Sequence, residues 1–274
     1  MCLVEVAKSP KPLPACATPV TDGMEVFTRS PAALQAQQDI MSFLLINHPL
    51  DCPICDQGGE CDLQDLAMAY GKTQGDFDLT KRAVIDEDLG PLVGTEMTRC
   101  IHCTRCVRFG EEIAGMPELG VMNRGGKAYI GTYLNRKMHS ELSGNVIDLC
   151  PVGALTAKPS RFRGRSWSYK QYSQVARHDC VGSNIYCHVH SKNLANTHEI
   201  MRVLPKANNK INQLWLSDRD RFSYQGLAKN RLDEPQAKIN GVWQSVSWNT
   251  AFDMISDKLA AVIANLLYPT TVIF

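Results

Sequence analysis

The stretch Cys100-Ile101-His102-Cys103-Thr104-Arg105-Cys106, followed far downstream by Cys150-Pro151, decides the fold of this chain. Two-residue gaps place successive thiols on one tight loop, and a remote fourth thiol closes the set around a metal centre. A structural zinc site also uses four cysteines, but it usually combines two Cys-x2-Cys pairs. We therefore expect Cys100, Cys103, Cys106 and Cys150 to hold one metal centre.

The form of this motif allows a finer test, because two-cluster bacterial ferredoxins end each cysteine run before a proline and exchange the fourth ligand between runs. Counting by the same gaps places the ligands of a second cluster at positions 110, 140, 143 and 146. The chain has Gly110, Ser140, Ser143 and Val146 at those positions. The sequence therefore predicts a ferredoxin-like unit with a single four-iron, four-sulfur cluster and leaves zinc as the alternative.

Length, charge and cysteine content limit the class of protein. The 274 residues allow two or three small domains, and a net charge of +1 gives no field that favours nucleic acid or an acidic partner. Eleven cysteines without a secretory leader indicate a reducing compartment, where clustered cysteines bind metal. The longest apolar runs, such as residues 259–264, are too short to cross a bilayer.

A second group of ligands follows a predicted helix. Ser30-Pro31 is a good helix opening, and the apolar residues at helical spacing after it predict a helix with His48 on its last turn. The run continues as His-x3-Cys-x2-Cys-x5-Cys, with the ligands His48, Cys52, Cys55 and Cys61. A zinc site with three cysteines and one histidine and an iron–sulfur cluster with one histidine ligand are both open by spacing. Residues 63–70 are predicted to form a short helix beside this site.

The N-terminal segment carries two further cysteines. Residues 1–6 alternate like a strand, and a proline-broken loop then leads to Cys16. Cys2 and Cys16 are too few to hold an iron–sulfur cluster, which needs four protein ligands. They look like half of a site, and two free or buried thiols are the alternative.

Four segments of the chain resemble the large (75 kDa-type) iron–sulfur subunit of respiratory complex I, NADH:ubiquinone oxidoreductase, in its mitochondrial form. The resemblance covers nearly the whole chain and identifies it as the N-terminal, cluster-bearing portion of that family, truncated at both ends. It rests on residues 1–6 with 15–17, on 48–65, on 98–108 and on 141–155.

The resemblance implies two four-iron clusters. His48, Cys52, Cys55 and Cys61 would hold one, and Cys100, Cys103, Cys106 and Cys150 the other. Cys2 and Cys16 match the last two ligands of an N-terminal two-iron, two-sulfur cluster. The family's first two ligands of that cluster are absent here, so it would need ligands from a missing segment or another chain.

Some polar residues outside these sets also invite interpretation. Arg99, Arg105 and Arg108 interleave with the cysteines and could offset the charge of a reduced cluster or could be solvated. The basic stretch 161–167 is interpreted as a contact with a partner subunit. The remaining cysteines and nearby histidines, Cys180, Cys187, His188 and His190, are interpreted as structural because their spacing fits no cluster motif.

The predicted fold class is α+β, with small iron–sulfur domains, a small β domain, and the start of an α/β domain that resembles molybdopterin oxidoreductases. We expect a remnant of a 2Fe-2S ferredoxin-like domain in 1–28, a helical 4Fe-4S domain with one histidine and three cysteine ligands in 29–97, and the ferredoxin-like domain with a linker in 98–173. The small β domain is expected in 174–240 and the truncated α/β domain in 241–274. An amphipathic helix from Ser247 and a strand over residues 270–274 open that last domain.

The function implied by the resemblance is electron relay without a catalytic residue of its own. Electrons would pass from flavin- and NADH-binding subunits toward subunits of the quinone-reducing arm, on the matrix side of the mitochondrial inner membrane. A separate chain carrying the portion missing at either end is a further candidate partner. The rival functions are the electron-transfer subunit of an NAD-linked hydrogenase or formate dehydrogenase and, in another class, a zinc-stabilised assembly or scaffold protein.

Overall fold

A computed structural model describes residues 2–75, 77–192, 197–228 and 232–267 of the chain. The chain divides into two compact units, Met1–Tyr224 and Gln225–Phe274. Within the described residues, no helix combines the length and the apolar character that crossing a bilayer requires.

The first unit begins with a small antiparallel sheet of three strands in the order β2-β1-β3. The strands are β1 (Leu3–Val6), β2 (Leu13–Pro14) and β3 (Val26–Phe27). Val4 and Val6 are buried while their neighbours in β1 are less so. The alternating pattern of the first residues therefore predicted this strand correctly.

Helix α1 (Pro31–Leu45) begins where the sequence predicted it. The Ser30 side chain accepts a hydrogen bond from the amide of Ala33 at 3.2 Å, and Pro31 occupies the first turn. Helix α2 (Asp62–Tyr70) also confirms its prediction. Met41 of α1 and Leu63 of α2 lie in the same hydrophobic cluster.

The end of α1 differs from the prediction. The helix stops at Leu45, so His48 lies three residues beyond it in a loop. The Nζ atom of Lys81 donates to the carbonyl groups of Leu45 and Ile46, each at 3.0 Å, and thereby binds the negative end of the helix. A histidine in the loop is free to turn toward a ligand site that the helix axis would not reach.

The ferredoxin-like region combines two short helices with two antiparallel strand pairs. The helices are α3 (Arg105–Glu112) and α4 (Asn145–Leu149). Strand β4 (Val93–Thr95) pairs with β7 (Leu155–Ala157), and β5 (Leu119–Met122) pairs with β6 (Tyr129–Thr132). One hydrophobic cluster joins these elements around Val93, Phe109, Ile130, Val146 and Leu155. The mixture of helices with small antiparallel sheets agrees with the predicted α+β class.

The four positions that a second ferredoxin cluster would use come together in the structure. Gly110, Ser140, Ser143 and Val146 all line one small cavity of the ferredoxin-like region. Val146 is only 1% exposed and belongs to the core. The four positions therefore lie close together, and none of them carries a side chain that ligates iron. A single cluster in this region stays a prediction.

A second antiparallel sheet follows, in the order β10-β9-β8. It consists of β8 (Lys170–Val175), β9 (Asn184–Lys192) and β10 (Thr197–Pro205), where the sequence predicted strands over 184–189 and 200–204. Helix α5 (Asp218–Phe222) packs beside β10. Their shared hydrophobic cluster includes Ile185, Val203 and Leu216.

The second unit contains a hairpin and a helix. Strands β11 (Gln236–Ile239) and β12 (Val242–Ser245) are joined by Asn240-Gly241, both at positive φ, which is the turn that a two-residue hairpin prefers. Helix α6 (Trp248–Leu267) begins after Ser247, as predicted, and the Ser247 hydroxyl accepts from the Thr250 amide. The strand predicted over residues 270–274 lies outside the described residues.

Candidate metal centres

The ferredoxin-like set converges on one cavity. Its lining includes all four predicted ligands, Cys100, Cys103, Cys106 and Cys150. Cys106 lies in the first turn of α3, and Cys150 directly follows the last residue of α4. The two helices thus bring residues that are 44 positions apart in sequence to the same space.

The loop between Cys100 and Cys106 has an unusual backbone. His102 and Thr104, on either side of Cys103, adopt positive φ values of 53° and 59°. Residues other than glycine rarely adopt this left-handed conformation. The loop therefore bends sharply on both sides of Cys103. The amide of His102 donates to Cys100 Sγ at 3.4 Å. Such amide–sulfur hydrogen bonds favour a thiolate and are one of the means by which proteins set cluster potentials.

Without a metal, two of these thiols would be hard to ionise. Burial, together with the charges of the other three cysteines, raises the pKa of Cys106 to about 12. Burial likewise raises the pKa of Cys150 to about 11, although nearby backbone amides lower it. Both need a positive centre before they can be thiolates, and iron in a cluster would supply one.

The second set lies in the loop between α1 and α2. Cys55 and Cys61 are buried and Cys52 is exposed. Burial raises the pKa of Cys61, and the charges of Cys55 and Cys52 raise it further. The loop turns at Gly59, whose φ is +89°, and Cys61 caps the start of α2.

The fourth predicted ligand of this set, His48, is half-buried. Its Nδ1 atom is buried and has no hydrogen-bond partner among the described residues. Burial lowers the pKa of His48, with Lys81 contributing, so the ring favours its neutral form. The backbone of Arg99 raises the pKa of His48, against that trend. A neutral imidazole whose Nδ1 atom has no hydrogen-bond partner among the described residues has the state that a metal ligand requires.

One short segment, residues 151–153, separates the two sets. The Pro151 carbonyl accepts a hydrogen bond from the Asp62 amide at 3.1 Å and lies 3.6 Å from Cys61 Sγ, which points at it as a donor. A Cβ atom built on Gly153 would lie only 2.2 Å from Cys55 Sγ. The residues that follow Cys150 therefore form one wall of the second site.

Cys2 and Cys16 are brought together by the N-terminal sheet. Their sulfur atoms are 3.2 Å apart and both residues are exposed. The Ala15 amide donates to the Cys2 carbonyl at 2.8 Å, which extends the pairing of β1 with β2. The hydrogen bond from Cys16 lowers the pKa of Cys2. The structure thus places the two residues as a pair, and the two-iron cluster stays a prediction.

The basic stretch 161–167 contacts the second site, which the sequence analysis did not predict. Arg165 donates to the carbonyl of Cys55 at 2.6 Å and also to that of Pro53. The ring of Trp167 lies against Gly59, where an added Cβ would approach it to 2.5 Å. Arg165 therefore bonds the ligand loop of its own chain, and a contact of the stretch 161–167 with a partner subunit stays a prediction.

A buried polar link ties the same loop to the second sheet. Arg202 of β10 forms a bidentate ion pair with Glu60, at 2.6 and 2.7 Å, one residue before Cys61. Its Nε atom donates to His188 Nδ1 at 3.0 Å, and the other ring nitrogen of His188 is 3.0 Å from Gln171 Oε1. Burial and the charge of Arg202 lower the pKa of His188. His188 therefore has the structural place predicted for it.

The donor sets fit iron–sulfur clusters on these observations. The first offers four thiols around one cavity, and the second three thiols with a neutral histidine that has an unengaged nitrogen. Across the residues that the structure describes, no three His, Cys, Asp or Glu side chains lie at the spacing of ligands to a single metal ion.

Three family models match separate parts of the chain. Residues 90–156 match the ferredoxin-like domain of NADH-quinone oxidoreductase subunit 3. Residues 37–75 match the NADH-ubiquinone oxidoreductase-G iron–sulfur binding region, and residues 169–225 match a 4Fe-4S domain of the NDSU1/NuoG-like type. The first model covers Cys100, Cys103, Cys106 and Cys150, and the second covers His48, Cys52, Cys55 and Cys61.

Curated relatives are similar along nearly the whole chain. The NADH-ubiquinone oxidoreductase 75 kDa subunit of Reclinomonas americana is 51% identical over 97% of this chain and 39% of its own length. The mitochondrial NADH dehydrogenase [ubiquinone] iron-sulfur protein 1 of Solanum tuberosum is 53% identical over 94% of this chain and 34% of its own. The mitochondrial NADH-ubiquinone oxidoreductase 78 kDa subunit of Neurospora crassa is 52% identical over 93% and 34%. The chain thus spans less than two fifths of the length of these relatives.

A solved structure is also similar. A crystal structure of NAD+-reducing [NiFe]-hydrogenase in the H2-reduced state aligns with a TM-score of 0.52 and 27% identity, over 60% of this chain and 70% of that one. Over the residues that the family models match, the chain belongs to the family of the large iron–sulfur subunit of NADH:quinone oxidoreductase, respiratory complex I.

Proposed function

We propose that this chain is an electron-relay subunit of respiratory complex I that holds two four-iron clusters. The observation that carries the proposal is the convergence of Cys100, Cys103, Cys106 and Cys150 on one cavity. The second cluster is proposed for Cys52, Cys55, Cys61 and His48, which lie in the loop between α1 and α2. Four-iron clusters would supply one-electron transfer by tunnelling, without an acid, base or nucleophile from the protein.

The protein's role in this proposal is to hold the clusters in place and to shield them from water. Cys55, Cys61 and Cys106 are buried, and Cys61 and Cys106 each belong to a hydrophobic cluster that limits the access of water. A low local dielectric raises the influence of every fixed charge and amide dipole on a cluster. The histidine ligand would make its cluster less negative than a fourth thiolate would and so tend to raise its potential.

The partners and the location are part of the proposal. The named relatives are subunits of NADH dehydrogenase, and two of them are named as mitochondrial. We infer that the chain receives electrons from flavin- and NADH-binding subunits and passes them toward the quinone arm. It would lie in the peripheral arm, on the matrix side of the mitochondrial inner membrane.

A two-iron cluster at the N-terminus is a separate part of the proposal. The 3.2 Å approach of the Cys2 and Cys16 sulfur atoms supports a shared metal at that place. Two further ligands would have to come from outside the described residues or from another chain, because four are needed.

The test is Cys103→Ser in the assembled complex, with Cys180→Ser as the matched control because Cys180 is also exposed but lies outside both ligand sets. We expect Cys103→Ser to abolish one four-iron signal in low-temperature electron paramagnetic resonance and NADH-driven quinone reduction with it. Cys180→Ser should keep both. Wild-type electron transfer in Cys103→Ser would refute the proposal.

A second candidate function is the electron-transfer subunit of an NAD-linked hydrogenase, favoured by the likeness to the NAD+-reducing [NiFe]-hydrogenase. The discriminating measurement is the source of electrons. In complex I the clusters of this chain are reduced by NADH and reoxidised by quinone, and hydrogen gas has no effect. Rapid reduction by hydrogen in the purified complex would favour the hydrogenase instead.

A further inference from the structure

Of the three arginines that interleave with the ligand cysteines, Arg99 is the buried one. It is 4% exposed and immediately precedes Cys100. Arg105 and Arg108 have side chains 52% and 66% exposed and pair with the exposed carboxylates of Asp62 and Glu112. Only a buried charge acts over several ångströms without strong screening, so these arginines are not equivalent for a nearby cluster.

The contacts of Arg99 reach both ligand sets. Its Nε atom donates to Asp51 Oδ2 at 3.0 Å, one residue before Cys52. A terminal nitrogen donates to the Gly153 carbonyl at 3.5 Å, in the segment that follows Cys150. A single residue therefore connects the segments that carry the ligands of both sites.

The charge of Arg99 is not fully cancelled by its partner. The Asp51 side chain is 34% exposed, whereas that of Arg99 is 5% exposed. Water screens the carboxylate more than the guanidinium, so positive potential remains on the buried side. Reduction of either cluster adds one electron, and therefore one negative charge, near the buried guanidinium. The fixed positive charge of Arg99 therefore favours the reduced form of each cluster.

We propose that Arg99 is a positioning residue that joins the two cluster sites and holds the reduction potentials of both clusters above the values their ligands alone would give. The inference rests on the proposed function, since it assigns to the two sets the clusters proposed there. It adds that the two potentials are coupled to one side chain, so that both respond together when that side chain changes.

The experiment is a redox titration, followed by low-temperature electron paramagnetic resonance, on the purified cluster-loaded complex. Arg99→Gln should lower both potentials, each by about a tenfold change in the reduction equilibrium, or about 59 mV for one electron. Arg99→Lys should restore them to within about twofold, because it keeps the charge. Arg105→Gln is the matched control, since Arg105 also immediately precedes a ligand cysteine, and it should change either equilibrium by less than about twofold.

A second variant, Asp51→Asn, should shift the reduction potentials in the opposite direction from Arg99→Gln. Removing that carboxylate leaves the charge of Arg99 unopposed, so both potentials should rise. If the Arg99→Gln variant fails to bind its clusters, the Asp51→Asn variant tests the inference. Reduction potentials of the two clusters that stay unchanged or fall in Asp51→Asn would overturn the inference. Unchanged potentials in a loaded Arg99→Gln variant, or an equal shift in Arg105→Gln, would also overturn it. Absence of reducible clusters from the wild-type complex would refute the proposed function instead.

Discussion

Gly153 shows how closely the two candidate sites approach each other at the level of single atoms. It lies three residues after Cys150, a ligand of the first set, yet its Cα faces the sulfur of Cys55 in the second. The space that a Cβ would occupy lies 2.2 Å from that sulfur and 3.3 Å from the Cβ of Gln57. The absence of a side chain at this position is therefore a requirement of the site.

We expect Gly153→Ala to damage the site of His48 and its three cysteines while the ferredoxin-like site survives. The added methyl overlaps Cys55 Sγ and must displace either the loop or the segment 151–153, at a cost of about 1–3 kcal/mol in the free energy of unfolding. Chemical denaturation measures that cost, and the two cluster signals measured separately show which site loses occupancy.

Gly126→Ala is the control, because a Cβ at Gly126 meets no atom within 4 Å and the residue has no positive φ. This variant should keep the wild-type stability and both clusters. If Gly153→Ala also kept the full signal of the histidine-ligated cluster, the inference that Gly153 packs closely against Cys55 would be wrong.

Spacing predicted that Cys100, Cys103, Cys106 and Cys150 come together, because ligand geometry constrains spacing directly, and all four line one cavity. Their role as ligands stays a prediction. Spacing could not distinguish Arg99 from Arg105, since burial depends on which distant segments pack over each side chain. It also placed His48 on the helix, whereas α1 ends at Leu45 and residue 48 lies in the loop.

At the scale of elements, α4 and α5 form a buried brace behind Cys150. Asp218 at the start of α5 accepts from the Ser143 hydroxyl and the Gly144 amide, both at 2.6 Å. Asn145 exchanges two hydrogen bonds, at 2.8 and 2.9 Å, with the backbone of Leu216. Every one of these bonds holds the segment that leads into the fourth ligand.

The same brace includes an ion pair between the two helices. Arg221 of α5, whose side chain is 3% exposed, bonds both carboxylate oxygens of Asp148, at 3.1 and 2.6 Å. Removing one partner of a buried pair leaves the other charge uncompensated. The pair thus fixes α4 two residues before Cys150.

We predict that Arg221→Met lowers the free energy of unfolding by about 3–5 kcal/mol. Its control is Arg219→Met on the same helix, where the side chain is exposed and the change should stay within about 0.5 kcal/mol. Denaturant titration of both variants measures the difference. Equal stabilities of the two variants would mean that α5 does not brace α4.

Elements with a local signal were predictable from the sequence. Ser30-Pro31 and Ser247 located the starts of α1 and α6, and alternation located strands β9 and β10. The brace was not predictable, because residues 143–148 and 216–221 meet only through the tertiary fold.

At the scale of the whole molecule, both ligand sets lie within the first unit, and residues 151–153 form part of the boundary between them. Gly110, Ser140, Ser143 and Val146, the positions that a second ferredoxin cluster would use, line one cavity of the ferredoxin-like region. The single cluster and the five predicted domain boundaries stay predictions.

Metal and sulfide analysis of the purified, assembled protein, combined with low-temperature electron paramagnetic resonance after reduction, tests whether the chain holds two four-iron clusters. We expect iron and acid-labile sulfide in equal amounts, with two distinguishable four-iron signals from this chain. Zinc in place of iron, with no signal on reduction, would contradict it.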